Sequence, residues 1–144
     1  MIEITRLKEA NEQAVADIGL LLQQLRENPE EHHTSLEELR TIVEDNNIAL
    51  LVVKDGERIV GMASLYMMTK FSKRTAEVED VVVDSGYRGR GLGEKLMQAV
   101  IDTARAEHIK TIHLTSRPER VAGNKLYQKL GFELKKTNPY RLKL

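Results

Sequence analysis

The 144-residue chain contains no cysteine, which excludes a disulfide framework, cysteine-ligated zinc and a cysteine nucleophile. It has no tryptophan, and aromatic residues make up only 4%. That is too few for the basic-aromatic platforms on which proteins hold single-stranded nucleic acid, so no nucleic-acid partner is expected. With three prolines, no repeat and no low-complexity segment, the chain offers no linker. The longest apolar runs, Ile48 to Val53 and Val81 to Val83, are far too short to span a bilayer, and no membrane partner is expected. Met1-Ile2-Glu3-Ile4 lacks the basic and then apolar pattern of a secretory leader, so the cytoplasm is the expected location. At 41% apolar the chain can bury one core, and residues 1–144 are expected to form a single domain.

The net charge of zero is unevenly spread. Residues 1–72 carry 7 basic and 13 acidic side chains, whereas residues 73–144 carry 15 and 9. A basic half suits an anionic partner, and a small polyanionic cofactor fits better than nucleic acid. An ordinary solvated surface would produce the same counts.

Hydrophobic spacing gives the elements. Residues 2–7 alternate as a strand, and Ala10 to Arg26 places Ala14, Ile18, Leu21, Leu22 and Leu25 at helical intervals. Ser35-Leu36-Glu37-Glu38 is a capping box that opens a helix to about Glu44. Ile48–Val53 and Arg58–Thr69 read as strands joined by an Asp55-Gly56 hairpin. Lys70 to Arg74 reads as a basic turn before a strand over Glu77–Val83. The period then changes. Leu92, Leu96, Val100 and Ala104 predict a helix from Gly91 to about Glu107. A strand over Thr111–Leu114 follows, then a helix over Pro118–Leu130 closed by Gly131, and short final strands over Phe132–Lys135 and Tyr140–Leu144. The order mixes hairpins with crossover helices. The expected class is therefore mixed α/β, a mostly antiparallel sheet of about six to seven strands flanked by about four helices.

The segment Val81-Val82-Val83-Asp84-Ser85-Gly86-Tyr87-Arg88-Gly89-Arg90-Gly91-Leu92-Gly93 runs from strand to turn to helix start. Three glycines within five positions leave N–H groups uncovered where a helix already has unpaired donors and the positive end of its dipole. That arrangement suits phosphate, each hydrogen bond to a charged oxygen being worth roughly 1.5–3 kcal/mol. The spacing of Gly89, Gly91 and Gly93 fails the dinucleotide fingerprint, because Glu94 stands where the third glycine belongs. Gly93-Glu94-Lys95 fails the P-loop pattern. A turn serving tight packing alone is the other reading. Downstream, Asn124 and Tyr127 share a helix face, an arrangement equally suited to packing.

Arg88-x-x-Gly91-x-Gly93 after a valine-rich strand, followed by Asn124-x-x-Tyr127-x-x-x-Gly131-Phe132, resembles the GNAT superfamily of acetyl-CoA-dependent N-acetyltransferases. The resemblance follows the element order of the whole chain and is specific from about Glu77 to Phe132. Val78 to Gly93 is similar to the same stretch of glucosamine-6-phosphate N-acetyltransferases. Leu114 to Pro118 and Thr137 to Arg141 resemble small bacterial members. What this implies is acetyl transfer from acetyl-CoA to a small-molecule or protein amine, without a metal. The backbone of Val81, Val82 and Val83 would pair with the pantetheine arm. The N–H groups of Arg88, Gly89, Arg90, Gly91, Leu92 and Gly93 would cradle the pyrophosphate. Asn124 would bond the pantetheine, and Tyr127 would protonate the leaving thiolate. Many members have proline two residues after the strand; here Asp84-Ser85 stands there, which alters the turn and not the cradle. A non-catalytic acyl-CoA-binding module on the same fold is the alternative, and a homodimer stays open.

An amine with a pKa near 10.4 is only about one part in 2,500 unprotonated at pH 7, a cost of roughly 4.6 kcal/mol. A general base would lower that cost. Glu79 and Asp80 sit on the strand beside the implied thioester, and strand alternation sends them to opposite faces, so at most one faces the substrate; Glu79 is the preferred base, with Asp80 or water as the alternatives. An ion pair of Glu79 with Lys73 or Arg74 is the competing reading. The absence of cysteine favours direct transfer in a ternary complex. Arg117, Arg120 and Arg141 are candidates for an anionic group of acceptor or cofactor. His32-His33 reads as exposed loop and His113 as packing. Tyr66, Met67, Met68 and Phe71 read as core or dimer contact.

Overall fold

A computed structural model describes residues 1–25 and 33–144. Its elements run β1 (Ile2–Arg6), α1 (Glu12–Leu25), α2 (Leu36–Glu44), β2 (Ile48–Asp55), β3 (Arg58–Lys70), β4 (Lys73–Val83), α3 (Leu92–Ala106), β5 (Thr111–Leu114) and α4 (Val121–Lys129). The sheet order is β1-β2-β3-β4-β5. The first three pairings are antiparallel and β4 with β5 is parallel. The mixed α/β class expected from the sequence is what forms.

Strand alternation sorts the core into two layers. Ala49, Leu51 and Val53 face α3, where they meet Leu96, Met97 and Val100. Leu50 and Val52 face α1 and α2, where they meet Ile18, Leu21 and Leu39. Because β2 is covered on both sides, Ile48–Val53 reads as an unbroken apolar run. Each fully buried side chain such as Leu96 contributes about 1.5–3 kcal/mol. At α2 the Ser35 hydroxyl accepts from the Glu38 N–H at 3.1 Å, the expected cap. Asp17, buried on α1, accepts from the Ile59 N–H at 3.0 Å and from Gln13 at 3.0 Å. It thereby fastens α1 to the start of β3. Gly61 lies where chains cross closely, and a Cβ there would stand 3.1 Å from Val53 and 3.2 Å from the Val82 carbonyl.

Three boundaries differ from expectation. β4 begins at Lys73 rather than Glu77, because Phe71-Ser72 makes a tight hairpin with Ser72 at φ +67°, which puts Lys73 opposite Lys70. α4 begins at Val121 rather than Pro118, after a turn in which the Arg120 N–H reaches the Arg117 carbonyl at 3.1 Å. The two final strands are not formed, so the sheet has five strands rather than six to seven. Leu134, Tyr140, Leu142 and Leu144 stand exposed. His32 lies outside the described residues. Met67 is core, while Phe71 is fully exposed at the hairpin tip.

Candidate active site

The parallel ladder between β4 and β5 ends at Val78 opposite Leu114, yet β4 continues to Val83. Beyond that point the outer edge of β4 faces an opening rather than a neighbouring strand. The Asp84 N–H donates inward to the Val60 carbonyl at 2.8 Å. Backbone groups alternate along a strand, so those of Val82 also point inward to β3 and those of Val81 and Val83 point into the opening. Arg88 Nε donates to the outward Val83 carbonyl at 3.2 Å, consistent with this. The side chains divide likewise. Val82 is buried toward α1, whereas Val81 and Val83 pack on the α3 side.

A β-bulge lies just before this edge. Ser64 pairs with Glu79 and Met62 with Val82, so Asp80 and Val81 together oppose Ala63. Asp80 takes the left-handed conformation, φ +55°, which aspartate tolerates better than most side chains. The extra residue shifts the parity of the strand: Ala76 and Val78 face α3 before it, Val81 and Val83 after it. This overturns the expectation that Glu79 and Asp80 diverge. Both border one cavity of about 470 Å³, together with Tyr127, Arg117, Arg120 and Arg141. The Tyr66 phenol pKa is pushed up by burial first and then by the negative charge of Asp80 and Glu79. Arg74 pairs with Glu107 at 3.7 Å.

Tyr127 is half-buried, its ring meeting Phe132 edge-on at a centroid distance of 6.0 Å. Burial raises its pKa from the ordinary 10.0, with Arg120 pulling the other way, so the hydroxyl holds its proton at neutral pH. Arg120 is anchored by a 2.9 Å bond from Nη2 to the Leu25 carbonyl. Asn124 lies one turn before Tyr127, and its Nδ2 donates to the Arg117 carbonyl at 2.9 Å, closing the β5–α4 loop. That leaves its Oδ1 for another partner.

After β4 the chain makes a 3₁₀ turn at Ser85–Tyr87. Asp84 accepts from the Gly86 N–H at 2.9 Å and from Gln24 at 2.8 Å, and Gln24 accepts from the Ser85 N–H at 2.9 Å. The Gln24 bond, ahead of the Gly86 N–H, lowers the Asp84 pKa. Tyr87 donates to Asp55 at 2.6 Å, and Arg90 lies over the Tyr87 ring, 4.8 Å from its centroid. The loop is thus braced on both sides, and of the side chains that brace it Gln24 and Tyr87 were not singled out by the sequence reading. Gly89 and Gly91 take φ +78° and +73°, and a Cβ at either would meet nothing within 4 Å. Gly91 caps α3 without a side chain over its first turn. The result is an open cradle of N–H groups at a helix N-terminus, the geometry that suits a phosphate. Leu92 belongs to it only by its backbone, since its side chain is core, and a Cβ on Gly93 would lie 3.6 Å from Leu126.

The acetyltransferase (GNAT) family matches residues 17–132 of the chain. Glucosamine 6-phosphate N-acetyltransferase 1 of Oryza sativa subsp. japonica is 32% identical over 121 residues, covering 78% of this chain and 70% of that protein. The glucosamine 6-phosphate N-acetyltransferase of Trypanosoma brucei brucei is 38% identical over 78 residues, so the match spans about half of each, 52% and 51%. The crystal structure of a Trypanosoma brucei acetyltransferase superposes over 100% of both chains with a TM-score of 0.80 at 30% identity.

Proposed function

We propose, from the premise that the chain belongs to the acetyltransferase (GNAT) family and is an acyltransferase, that it acetylates a primary amine bearing an anionic group, by direct transfer from acetyl-CoA. One observation carries this reading: Tyr127, Glu79 and Asp80 border a single cavity at the point where β4 parts from β5. The residues present fit acetyl-CoA, since the glycine cradle lies open to anionic oxygens and the Val81–Val83 edge is open to an extended amide chain. Acetyl-CoA, when bound, supplies an acetyl group activated as a thioester.

Every other part of the chemistry falls to the chain. The N–H groups from Arg88 to Gly93 hold the diphosphate, with Arg88 and Arg90 beside them. The outward groups of Val81 and Val83 align the pantetheine arm, as an added strand would be aligned, and Asn124 Oδ1 accepts from it. Tyr127 keeps a proton on its hydroxyl for the departing sulfur, which its raised pKa supports. Glu79, with Asp80 beside it, attracts the acceptor's ammonium and takes its proton, directly or through water. Arg117, Arg120 and Arg141 on the same cavity suit a phosphate or carboxylate on the acceptor. The relatives named for glucosamine 6-phosphate agree with an amine of that charge pattern. A cysteine-free chain favours direct transfer over a cysteinyl acyl-enzyme.

Thiol release from acetyl-CoA across amines matched in size but differing in charge tests this. Phosphorylated or carboxylated amines should turn over at least tenfold better by kcat/KM than their neutral counterparts. Tight acetyl-CoA binding with no thiol release from any amine would instead establish a non-catalytic binding module.

A further inference from the structure

We propose that Gln24, at the end of α1, is a positioning residue for acetyl-CoA: it holds the loop leaving β4 in its binding shape before the cosubstrate arrives. The cradle needs such a brace. Gly89 and Gly91 take left-handed φ values, and a Cβ at either would meet nothing within 4 Å. Backbone of this kind loses more freedom on ordering than any other. Affinity is highest when that cost has been met in the free protein. The far end of the loop is held by α3, through the buried Leu92. The near end passes from extended backbone at Asp84 (φ −51°, ψ 139°) directly into the 3₁₀ turn. The Ser85 N–H therefore belongs neither to the sheet nor to the turn, and a side chain or water must meet it.

Gln24 meets it, from about sixty residues earlier in the chain. Its Oε1 accepts from the Ser85 N–H at 2.9 Å, and its Nε2 donates to Asp84 Oδ1 at 2.8 Å. Asp84 Oδ2 accepts from the Gly86 N–H at 2.9 Å. Both ends of the amide and both carboxylate oxygens are thus engaged. A neutral side chain carrying donor and acceptor together is what this ring requires: a carboxylate would repel Asp84, and a cation could not accept from Ser85. Arg88 is near enough to act on Asp84 electrostatically. With Asp84 held toward α1 by N–H donors, Arg88 stays available to the diphosphate. The support itself is rigid. Asp17 fastens α1 to β3 at 3.0 Å, and the Leu25 carbonyl accepts from Arg120 at 2.9 Å. A residue carried on a helix so anchored positions a loop more closely than the loop's own contacts can.

The effect on acetyl-CoA rests on the function proposed above; the brace does not. Gln24 is exposed, so replacing it disturbs neither core layer. Gln24→Glu sets a second carboxylate against Asp84. Asp84→Asn leaves too few acceptors for the three donors. The double variant Q24E/D84N keeps all three bonds, because the new amide donates to the new carboxylate while Ser85 and Gly86 retain their acceptors. By calorimetry each single variant should bind acetyl-CoA at least about fivefold more weakly, and the double variant should return to within about twofold of the parent. Singles that bind like the parent, or a double no better than the weaker single, would overturn the proposal. At saturating acetyl-CoA the singles should keep their kcat and lose only in KM, since Tyr127, Glu79 and Asp80 are unaltered. An equal loss of kcat and kcat/KM would mean that Gln24 acts on the chemistry and not on positioning. In the protein without acetyl-CoA, the Ser85 and Gly86 amides should exchange hydrogen faster in Gln24→Glu and regain protection in the double variant. Unchanged exchange would refute the brace. That exchange pattern in a parent that binds no acetyl-CoA would instead refute the function of the cradle and leave the brace standing.

Discussion

Replacing Tyr127 with phenylalanine removes one oxygen and leaves the ring that meets Phe132 edge-on at 6.0 Å. Burial and the nearby Arg120 are the influences on that hydroxyl, and among the described residues no group hydrogen-bonds to it. The variant therefore loses no intramolecular bond, and its Tm should move by less than about 3 °C. Turnover should respond very differently. A proton is needed at the sulfur only as the bond breaks, so the loss falls on kcat and leaves acetyl-CoA affinity nearly unchanged. General-acid contributions run to about 10²–10⁴-fold, or roughly 2.7–5.5 kcal/mol of barrier. The pH dependence has a definite sign. A phenol donates only when protonated, and burial raises its pKa above the ordinary 10.0. The alkaline limb of kcat should thus stay flat to pH 10 and fall only above it. Steady-state kinetics with thiol detection from pH 6 to beyond 10, beside thermal melts, provides the measurement. A kcat within about twofold of the parent would refute the role and leave Tyr127 a packing residue.

Glu79→Gln should lower kcat/KM at pH 7 by at least tenfold and recover in part near pH 9, where more of the amine is neutral; a pH–rate profile parallel to the parent's would exclude it as base. Asp80→Asn should also slow the reaction, because the bulge brings both carboxylates to one cavity, whereas a silent Asp80→Asn would show that Glu79 works alone. Gly91→Val forces a branched residue to φ +73°, costing roughly 1–2 kcal/mol of stability, and should weaken acetyl-CoA binding more than tenfold by calorimetry. Asp17→Ala leaves the buried Ile59 N–H without its acceptor and should cost about 1–3 kcal/mol in urea unfolding with an unchanged m-value.

The fold was legible wherever one period ran without interruption. Leu92, Leu96, Val100 and Ala104 marked α3, and Gly131, at φ +101°, ends α4 as its residue type suggests. Legibility failed where geometry depends on a single residue leaving the pattern. The bulge at Asp80 turned two carboxylates toward one cavity, and alternation could not foresee it. The trace was nevertheless present, because Glu79-Asp80 interrupts the valines by two polar residues instead of one. Gln24 was invisible for another reason: its partners, Asp84 and Ser85, lie some sixty residues away, and no local spacing encodes that contact. Phe132–Lys135 and Tyr140–Leu144 have strand-like alternation yet form no strand here, because alternation states which face seeks cover and not which surface supplies it.

The early parting of β4 from β5 also determines where the molecule exchanges its amide hydrogens. Only four residue pairs tie β5 to the sheet, and short ladders open at little free-energy cost. Along the last residues of β4, the Val82 and Asp84 amides are locked against β3 while those of Val81 and Val83 meet solvent. Deuterium should enter this strand with a two-residue beat, fast then slow. An extended ligand lying in the opening would silence the fast beats and leave the slow ones unchanged, so protection at Val81 and Val83 alone would trace the ligand's path along the edge.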